Sequence, residues 1–192
     1  EEVIIPIDQI TDFPNHPYKV KNDEKMQSMV QSVKEMGVIY PVIVRKKDDG
    51  KYEMISGHRR KMASILAGKK EIKCIVKNLT DDEATILMVD SNIQREEILP
   101  SEKAYSYKMK LDAIKHQGRK IEETSNQLGG KNNESAQLLG EDQGDSGTQV
   151  RRYIRLTKLI PEILEKVDEK RIAFNPAVEI SYLTQEEQTK LY

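Results

Sequence analysis

The 192-residue sequence predicts an α+β chain: a small mixed α/β unit over residues 1–99, then an all-helical unit over 100–192. Two patterns carry this. Up to Leu99, short β-preferring apolar runs alternate with stretches whose apolar residues recur at spacings of three and four. Beyond Pro100 the apolar residues keep the helical spacing. Composition bounds the function. A third of the residues are charged but the net charge is −1, so any basic face is local rather than global. No apolar run approaches the roughly 18–20 residues of a membrane helix, and no secretory leader opens the chain. The single Cys74 excludes an internal disulfide framework and a cysteine-rich zinc site. His16, His58 and His116 lie far apart in sequence. The cytoplasm is the expected compartment. The chain begins with Glu rather than Met and ends at Tyr192 in a helical-looking run, so a fragment of a longer protein is expected.

Val3 to Ile7 reads as an opening strand, followed by a turn-rich loop from Thr11 to Pro17. Asn22 or Asp23 can cap a helix whose apolar face is Met26, Met29, Val30, Val33 and Met36, and Gly37 is its natural stop. Val38 to Val44 is a buried connection and strand, Asp48-Asp49-Gly50 a hairpin turn, and Lys51 to Ile55 the return strand. A helix runs from the Gly57 turn to about Ala67, then a strand from Ile72 to Val76. Thr80 caps a further helix with Asp81, Asp82 and Glu83 in its first turn. Ser101-Glu102-Lys103 opens the helix carrying Ala104, Tyr107, Met109, Leu111 and Ile114. From His116 to about Asn133 the polar composition reads as a linker with one short helix. The stretches 159–167 and 172–183 read as supporting helices.

Two stretches carry chemistry. The first is Met54-Ile55-Ser56-Gly57-His58-Arg59-Arg60-Lys61-Met62-Ala63, read as strand, tight turn and helix. A helix start offers unpaired N–H groups and partial positive charge, and two arginines in its first turn add forked donors for phosphate oxygens. This is an anion cradle suited to a polyphosphate, set against the plainer reading of a solvated basic turn. His58 has the same two readings, a phosphate contact at mildly acidic pH or a polar surface residue. The second stretch begins at Ser135. A short helix to Gly140, a turn at Gly144-Asp145 and a helix capped by Ser146 make a helix-turn-helix layout over about 135–156. From Ser146 to Lys158 the basic residues are Arg151, Arg152, Arg155 and Lys158, with no acids. Ser146, Gly147, Thr148, Gln149 and Arg151 lie near the helix start, where base edges would be reached, and the arginines suit phosphates. A structural helical hairpin with a basic solvated side is the alternative.

Three blocks in order resemble one family. Asn15-His16-Pro17-Tyr18-Lys19-Val20-Lys21 is like the first block of ParB-type partition proteins. Gly57-His58-Arg59-Arg60 matches the second, usually Gly-Glu-Arg-Arg. Ser91-Asn92-Ile93-Gln94-Arg95-Glu96-Glu97-Ile98-Leu99-Pro100 matches the third, and the helix-turn-helix follows where the family has one. The resemblance covers nearly the whole chain. It implies a ParB/sulfiredoxin-like N-terminal domain and a helical domain that binds a short inverted repeat in double-stranded DNA. It also implies a homodimer, a ParA-type ATPase partner, and a cytoplasmic, nucleoid-associated role in segregating or regulating a chromosome, plasmid or mobile element. In many members CTP with Mg²⁺ switches the dimer into a clamp. Carried over by motif, Gly57, Arg59 and Arg60 would hold phosphates and His58 would share their turn. Lys21 would stand near the nucleotide, Asn92 near Mg²⁺, and Gln94 and Arg95 would support the pocket.

Two positions depart from the pattern. His58 replaces a Glu linked to nucleotide turnover, and Ser91 replaces a Glu beside the metal. A hydroxyl brings no charge to Mg²⁺, so binding through Arg59 and Arg60 is expected to outlast efficient hydrolysis. The alternative function is enzymatic: a ParB-like nucleotide hydrolase, as a weak CTPase, or a nuclease whose only candidate carboxylates are Glu96 and Glu97. A sulfiredoxin-like phosphotransfer enzyme would need a thiol in the Gly57 turn, which Ser56-Gly57-His58 lacks.

Overall fold

The computed structural model describes residues 2–93, 98–124, 136, 139, 140 and 144–192. These fall into two compact units, Glu1–Ser91 and Asn92–Tyr192, so the division comes a little before the expected one at Leu99.

The first unit is a five-stranded mixed sheet with three helices. β1 (Glu2–Pro6), a 3-10 turn (Ile7–Gln9) and β2 (Ile10–Thr11) precede α1 (Glu24–Met36). β3 (Val42–Lys46), β4 (Tyr52–Ser56), α2 (His58–Leu66), β5 (Glu71–Lys77) and α3 (Asp81–Asp90) complete it. The sheet order is β1-β5-β3-β4-β2. β1 runs antiparallel to β5, β5 parallel to β3, β3 antiparallel to β4, and β4 parallel to β2. The two-residue β2 is too short to leave a periodic signal in sequence. One buried cluster joins Ile5, Ile7, Ile10, Val42, Val44, Met54, Ile72 and Cys74. A second packs Met26, Val30 and Val33 of α1 against Ala63 of α2.

The helix ends follow local chemistry. The Asp23 side chain accepts from the N–H of Met26 and caps α1, and Gly37 ends it at φ +73°. Thr80 and Glu83 form a reciprocal capping box on α3. The expected apolar face of α1 ends one turn early: Met36, the last helical residue before Gly37, is 64% exposed. Cys74 is buried and burial pushes its thiol up to about 11, which keeps it protonated and inert.

The second unit is helical: α4 (Pro100–Thr124), α5 (Gly147–Arg155) with a 3-10 turn (Leu156–Lys158), α6 (Pro161–Asp168), α7 (Phe174–Ile180) and α8 (Gln185–Leu191). The expected linker from His116 is corrected as far as Thr124, since α4 runs through it. Its residues there are mostly good helix formers, and polar composition alone does not break a helix. Residues 125–133 lie outside the described ones. The core gathers Ala104, Leu156, Leu159, Ile163, Leu164, Val167, Ala177 and Val178. Buried Gln188 fastens α8: its Oε1 accepts from Ile160 N–H at 2.8 Å, and its Nε2 donates to the carbonyls of Lys158 and Leu183. No helix among the described residues is long and apolar enough to cross a membrane.

A buried ion pair tests the packing of the sheet. Arg45 and Glu53 face each other in the β3–β4 register, both buried, with Nη2 2.6 Å from Oε2. Arg45 Nη2 also meets exposed Asp81 at 2.7 Å. Arg45→Ala leaves the buried Glu53 carboxylate with the more distant Lys47 Nζ, 3.8 Å away, and is expected to lower the unfolding free energy by about 2–3 kcal/mol in urea titrations. Asp81→Ala is expected to leave it nearly unchanged, because that carboxylate is already in water.

Candidate functional site

The first candidate site is the junction of β4 and α2. Gly57 stands at φ +109° as the residue before the helix. A Cβ built there would lie 2.5 Å from Val42 Cγ1 and 2.9 Å from Val42 Cβ. Glycine is therefore required twice, by backbone conformation and by the close approach to β3. Gly57, the residue before α2, has no side chain with which to cap it. The first hydrogen bond back to Gly57 comes from the N–H of Lys61 at 3.0 Å. A helix start leaves backbone N–H groups outside the helix's own bonding and carries the positive end of its dipole, which makes this mouth the candidate place for an anion.

The two guanidinium groups diverge from this mouth. Arg59 reaches Asp23, Nη2 to Oδ1 at 2.9 Å, and both side chains stay partly exposed. Asp23 therefore serves as the cap of α1 and as the counter-ion of Arg59. The hydrogen bond from Arg59, then that from Met26 N–H, holds its carboxyl below the usual range. A carboxylate depressed in the fold contributes stability above its unfolded value and loses it as pH falls through the folded one. The α1 cap accordingly weakens below about pH 4. Arg60 turns the other way. Its Nη1 donates to the carbonyls of Tyr40 at 2.6 Å and Pro41 at 2.7 Å, closing the loop that leads into β3. Burial lowers the Arg60 guanidinium from its ordinary value.

His58 is buried, contrary to the reading of a polar surface residue. Its ring lies against that of His16, centroids 3.7 Å apart. The first and second sequence blocks are thus brought together by two imidazoles, a contact that no sequence periodicity announces. Asn15, at φ +55°, turns the chain into the first block; asparagine tolerates that left-handed conformation better than most residues. Lys21 is exposed. Ser91 closes the first unit, its hydroxyl donating to the Met88 carbonyl at 3.0 Å, and buried Asn92 belongs to the second. Gln94, Arg95, Glu96 and Glu97 lie outside the described residues. Among the described residues no cluster of three or more His, Cys, Asp or Glu could hold a metal.

The second candidate site is α5. Ser146 accepts from the N–H of Gln149 and caps it. Val150 is fully buried, while Thr148, Arg151 and Lys158 are exposed. Gly147 is the first helical residue. Arg152 is half-buried over the Phe174 ring, and its Nη2 donates to Asn175 Oδ1 at 2.7 Å. Arg155 is folded into the unit. It donates to the hydroxyl and carbonyl of Ser181 and covers the Tyr182 ring at 4.2 Å. The turn before α5 is fixed by close packing. A Cβ on Gly140 would lie 2.1 Å from the Asp145 carbonyl oxygen. Asp145 in turn takes the Tyr107 hydroxyl at 2.5 Å and Lys103 Nζ at 2.6 Å. Ala136, Leu139 and Gly140 are helical and buried; Ser135 lies outside the described residues.

Two glycine substitutions separate steric need from backbone preference. Gly57→Ala is expected to destabilise the first unit by more than about 2 kcal/mol in thermal unfolding, since both φ and Val42 oppose it. Gly68, at φ +72° with open space around it, is expected to lose about 1 kcal/mol as Gly68→Ala.

Comparison with known proteins follows this geometry. Residues 1–93 match the family model of the ParB N-terminal domain. The chain is 31% identical over 97% of its length to the chromosome-partitioning protein Spo0J of Thermus thermophilus, spanning 62% of that protein. It is 34% identical over 90% of its length to a nucleoid occlusion protein of Lysinibacillus sphaericus, spanning 52%. The chain therefore covers half to three fifths of these relatives. Its fold is that of a pNOB8-like ParB N-domain (TM-score 0.61, 18% identity, 94% of this chain and 78% of that one). It also follows a C-terminally truncated ParB from Caulobacter crescentus, solved with the centromeric parS site (TM-score 0.55, 22% identity, 93% and 84%). With the glycine turn and the two arginines behind it in family order, residues 1–93 are a ParB N-terminal domain, and the chain is similar over nearly its whole length to a chromosome-partitioning protein.

Proposed function

We propose that this chain binds double-stranded DNA through α5 and holds CTP at the mouth of α2, as a homodimer on a short inverted repeat. The observation that carries the reading is the acid-free basic stretch from Ser146 to Lys158. It is anchored by buried Val150 with Thr148, Arg151 and Lys158 turned to solvent. Such a helix offers charge to phosphates and short polar groups to base edges. Its Ser146, Gly147, Thr148, Gln149 and Arg151 end is the reading end. Arg152 contacts DNA from beside Asn175. Arg155, bound to Ser181, positions the helix. The likeness to a ParB solved on parS DNA supports the reading. Its setting is the segregation or regulation of a chromosome, plasmid or mobile element, with a ParA-type ATPase as partner.

For the nucleotide, the N–H groups at the start of α2 and the Arg59 guanidinium, once released from Asp23, suit a triphosphate, while Arg60, donating to the Tyr40 and Pro41 carbonyls, holds the adjoining loop. Bound there, the phosphates would meet Gly57, His58 and Arg59 at the helix start, with Lys21 as a further cation. Of the residues the resemblance assigns to Mg²⁺, Asn92 offers a carboxamide and Ser91 a hydroxyl. Such neutral donors fit Mg²⁺ only where phosphate oxygens supply the charge. Gln94 and Arg95 retain the supporting role that the motif gives them. Any CTPase turnover is slow, because a carboxylate is missing at both position 58 and position 91.

Selection from a random duplex pool is expected to return a short inverted repeat, with affinity falling steeply as salt rises. Arg151→Ala is expected to weaken binding by about 1–3 kcal/mol; unchanged affinity would remove α5 from the interface. Asp23→Asn keeps a capping side chain but releases Arg59 from its counter-ion. Calorimetry at low salt is expected to give CTP affinity raised about threefold or more. Equal or weaker affinity would mean that Arg59 does not face the phosphates.

A further inference from the structure

His16 and His58 meet face to face from two separate blocks, with ring planes tilted by 32°. His58 opens α2. The Nδ1 of His16 lies 2.9 Å from the Tyr18 carbonyl oxygen. A carbonyl only accepts, so Nδ1 carries the hydrogen and Nε2 is the atom that would take a further proton. Buried Tyr18 also sets its ring edge against His16, 5.5 Å between centroids.

Charges of both signs surround the pair. Asp12, just after β2, interacts with both imidazoles through its charge. Lys61, in the first turns of α2, holds the same carboxylate at 2.7 Å and donates to the Ile10 carbonyl. Burial works to raise the Asp12 carboxyl. The hydrogen bond and charge of Lys61, then the charges of His58 and His16, outweigh it and hold it below the usual range. Arg59, next to His58, is matched by Asp23. Asp12 is therefore shared between Lys61 and the rings, and it can support one imidazolium. A second imidazolium at stacking distance meets like charge at close range. Rings this close titrate as a pair.

We propose that the His16–His58 stack couples anion binding at the α2 mouth to proton uptake. The stack carries at most one imidazolium, that is one proton beyond the neutral rings, when no anion is bound, and a nucleoside triphosphate brings in the second. This rests on the reading of that mouth as a nucleotide site, and adds to it a regulator. Phosphate charge at the first turn of α2 offsets the repulsion between the imidazoliums. By linkage, the proton tightens phosphate binding by the factor by which phosphate tightens proton binding. The site then favours nucleotide more as pH falls through the histidine range.

The test uses the whole chain. Imidazole resonances are followed through a pH titration without ligand. Calorimetry then measures CTP and inorganic tripolyphosphate, each with Mg²⁺, near pH 6 and pH 8 in buffers of different protonation enthalpy. The expected result is two coupled ring titrations, one well below about 6.5, and affinity up to about tenfold tighter at the lower pH with proton uptake. His58→Gln and His16→Gln should each return the surviving ring to a single ordinary titration and remove the excess uptake. The ligand's own phosphate proton is common to all variants and cancels. Independent ring titrations near about 6.5, or the same uptake in wild type and variants, would overturn the coupling. Binding without excess uptake sinks the coupling alone, whereas no binding at either pH sinks the nucleotide reading with it.

Discussion

The closest constraint in the first unit is the approach of the Gly57 backbone to Val42. Both Val42 carbons within reach of a Gly57 Cβ would lie under 3 Å away. That contact aims the start of α2 across the end of β3 and brings His58, Arg59 and Arg60 out along three directions. His58 goes into the fold against His16, Arg59 to the cap of α1, and Arg60 to the carbonyls ahead of β3. One turn therefore fastens α2 to the loop after β2, to α1 and to the entry of β3. An anion at the helix mouth would act on all three fastenings, which is how a small ligand can bias a larger rearrangement.

The ion pair between Arg59 and Asp23 links site and scaffold. Asp23 caps α1 with one interaction and neutralises Arg59 with another. In the proposed site, a phosphate that took over Arg59 would leave Asp23 as a cap alone and so would couple the anion charge to the end of α1 through a single carboxylate. In the second unit, Asp145 has the corresponding place. It joins Tyr107 and Lys103 of α4 to the turn ahead of α5, while Gly140 lets the chains close up. The helix proposed to read DNA is thereby held at its entry by α4 and along its length by Arg155 on Ser181.

Much of the fold was legible in the sequence because helix ends are written locally. Asp23, Gly37, Thr80 with Glu83, and Ser146 each act within a few residues, and each is where the residue types put it. The Gly57 turn was legible for the same reason. What was hidden depends on partners far along the chain. The buried Arg45–Glu53 pair needs the β3–β4 register, and Arg60 meets carbonyls from another segment. The His16–His58 stack joins positions 42 residues apart in a chain that gives no periodic hint of it. The extension of α4 to Thr124 is hidden in the sequence because its polar composition resembles a linker, although the residue types there propagate a helix. Met36 is the converse case, an apolar residue at helical spacing from Val33 that the fold leaves exposed at the helix end.

The central claim is that the start of α2 receives phosphate. Amide resonances of His58, Arg59 and Arg60, followed during titration with CTP and Mg²⁺, test it most directly. The account predicts saturable shifts concentrated on those three N–H groups, reproduced by tripolyphosphate and not by cytidine. Shifts confined to other segments, or unchanged amides at saturating nucleotide, would contradict it.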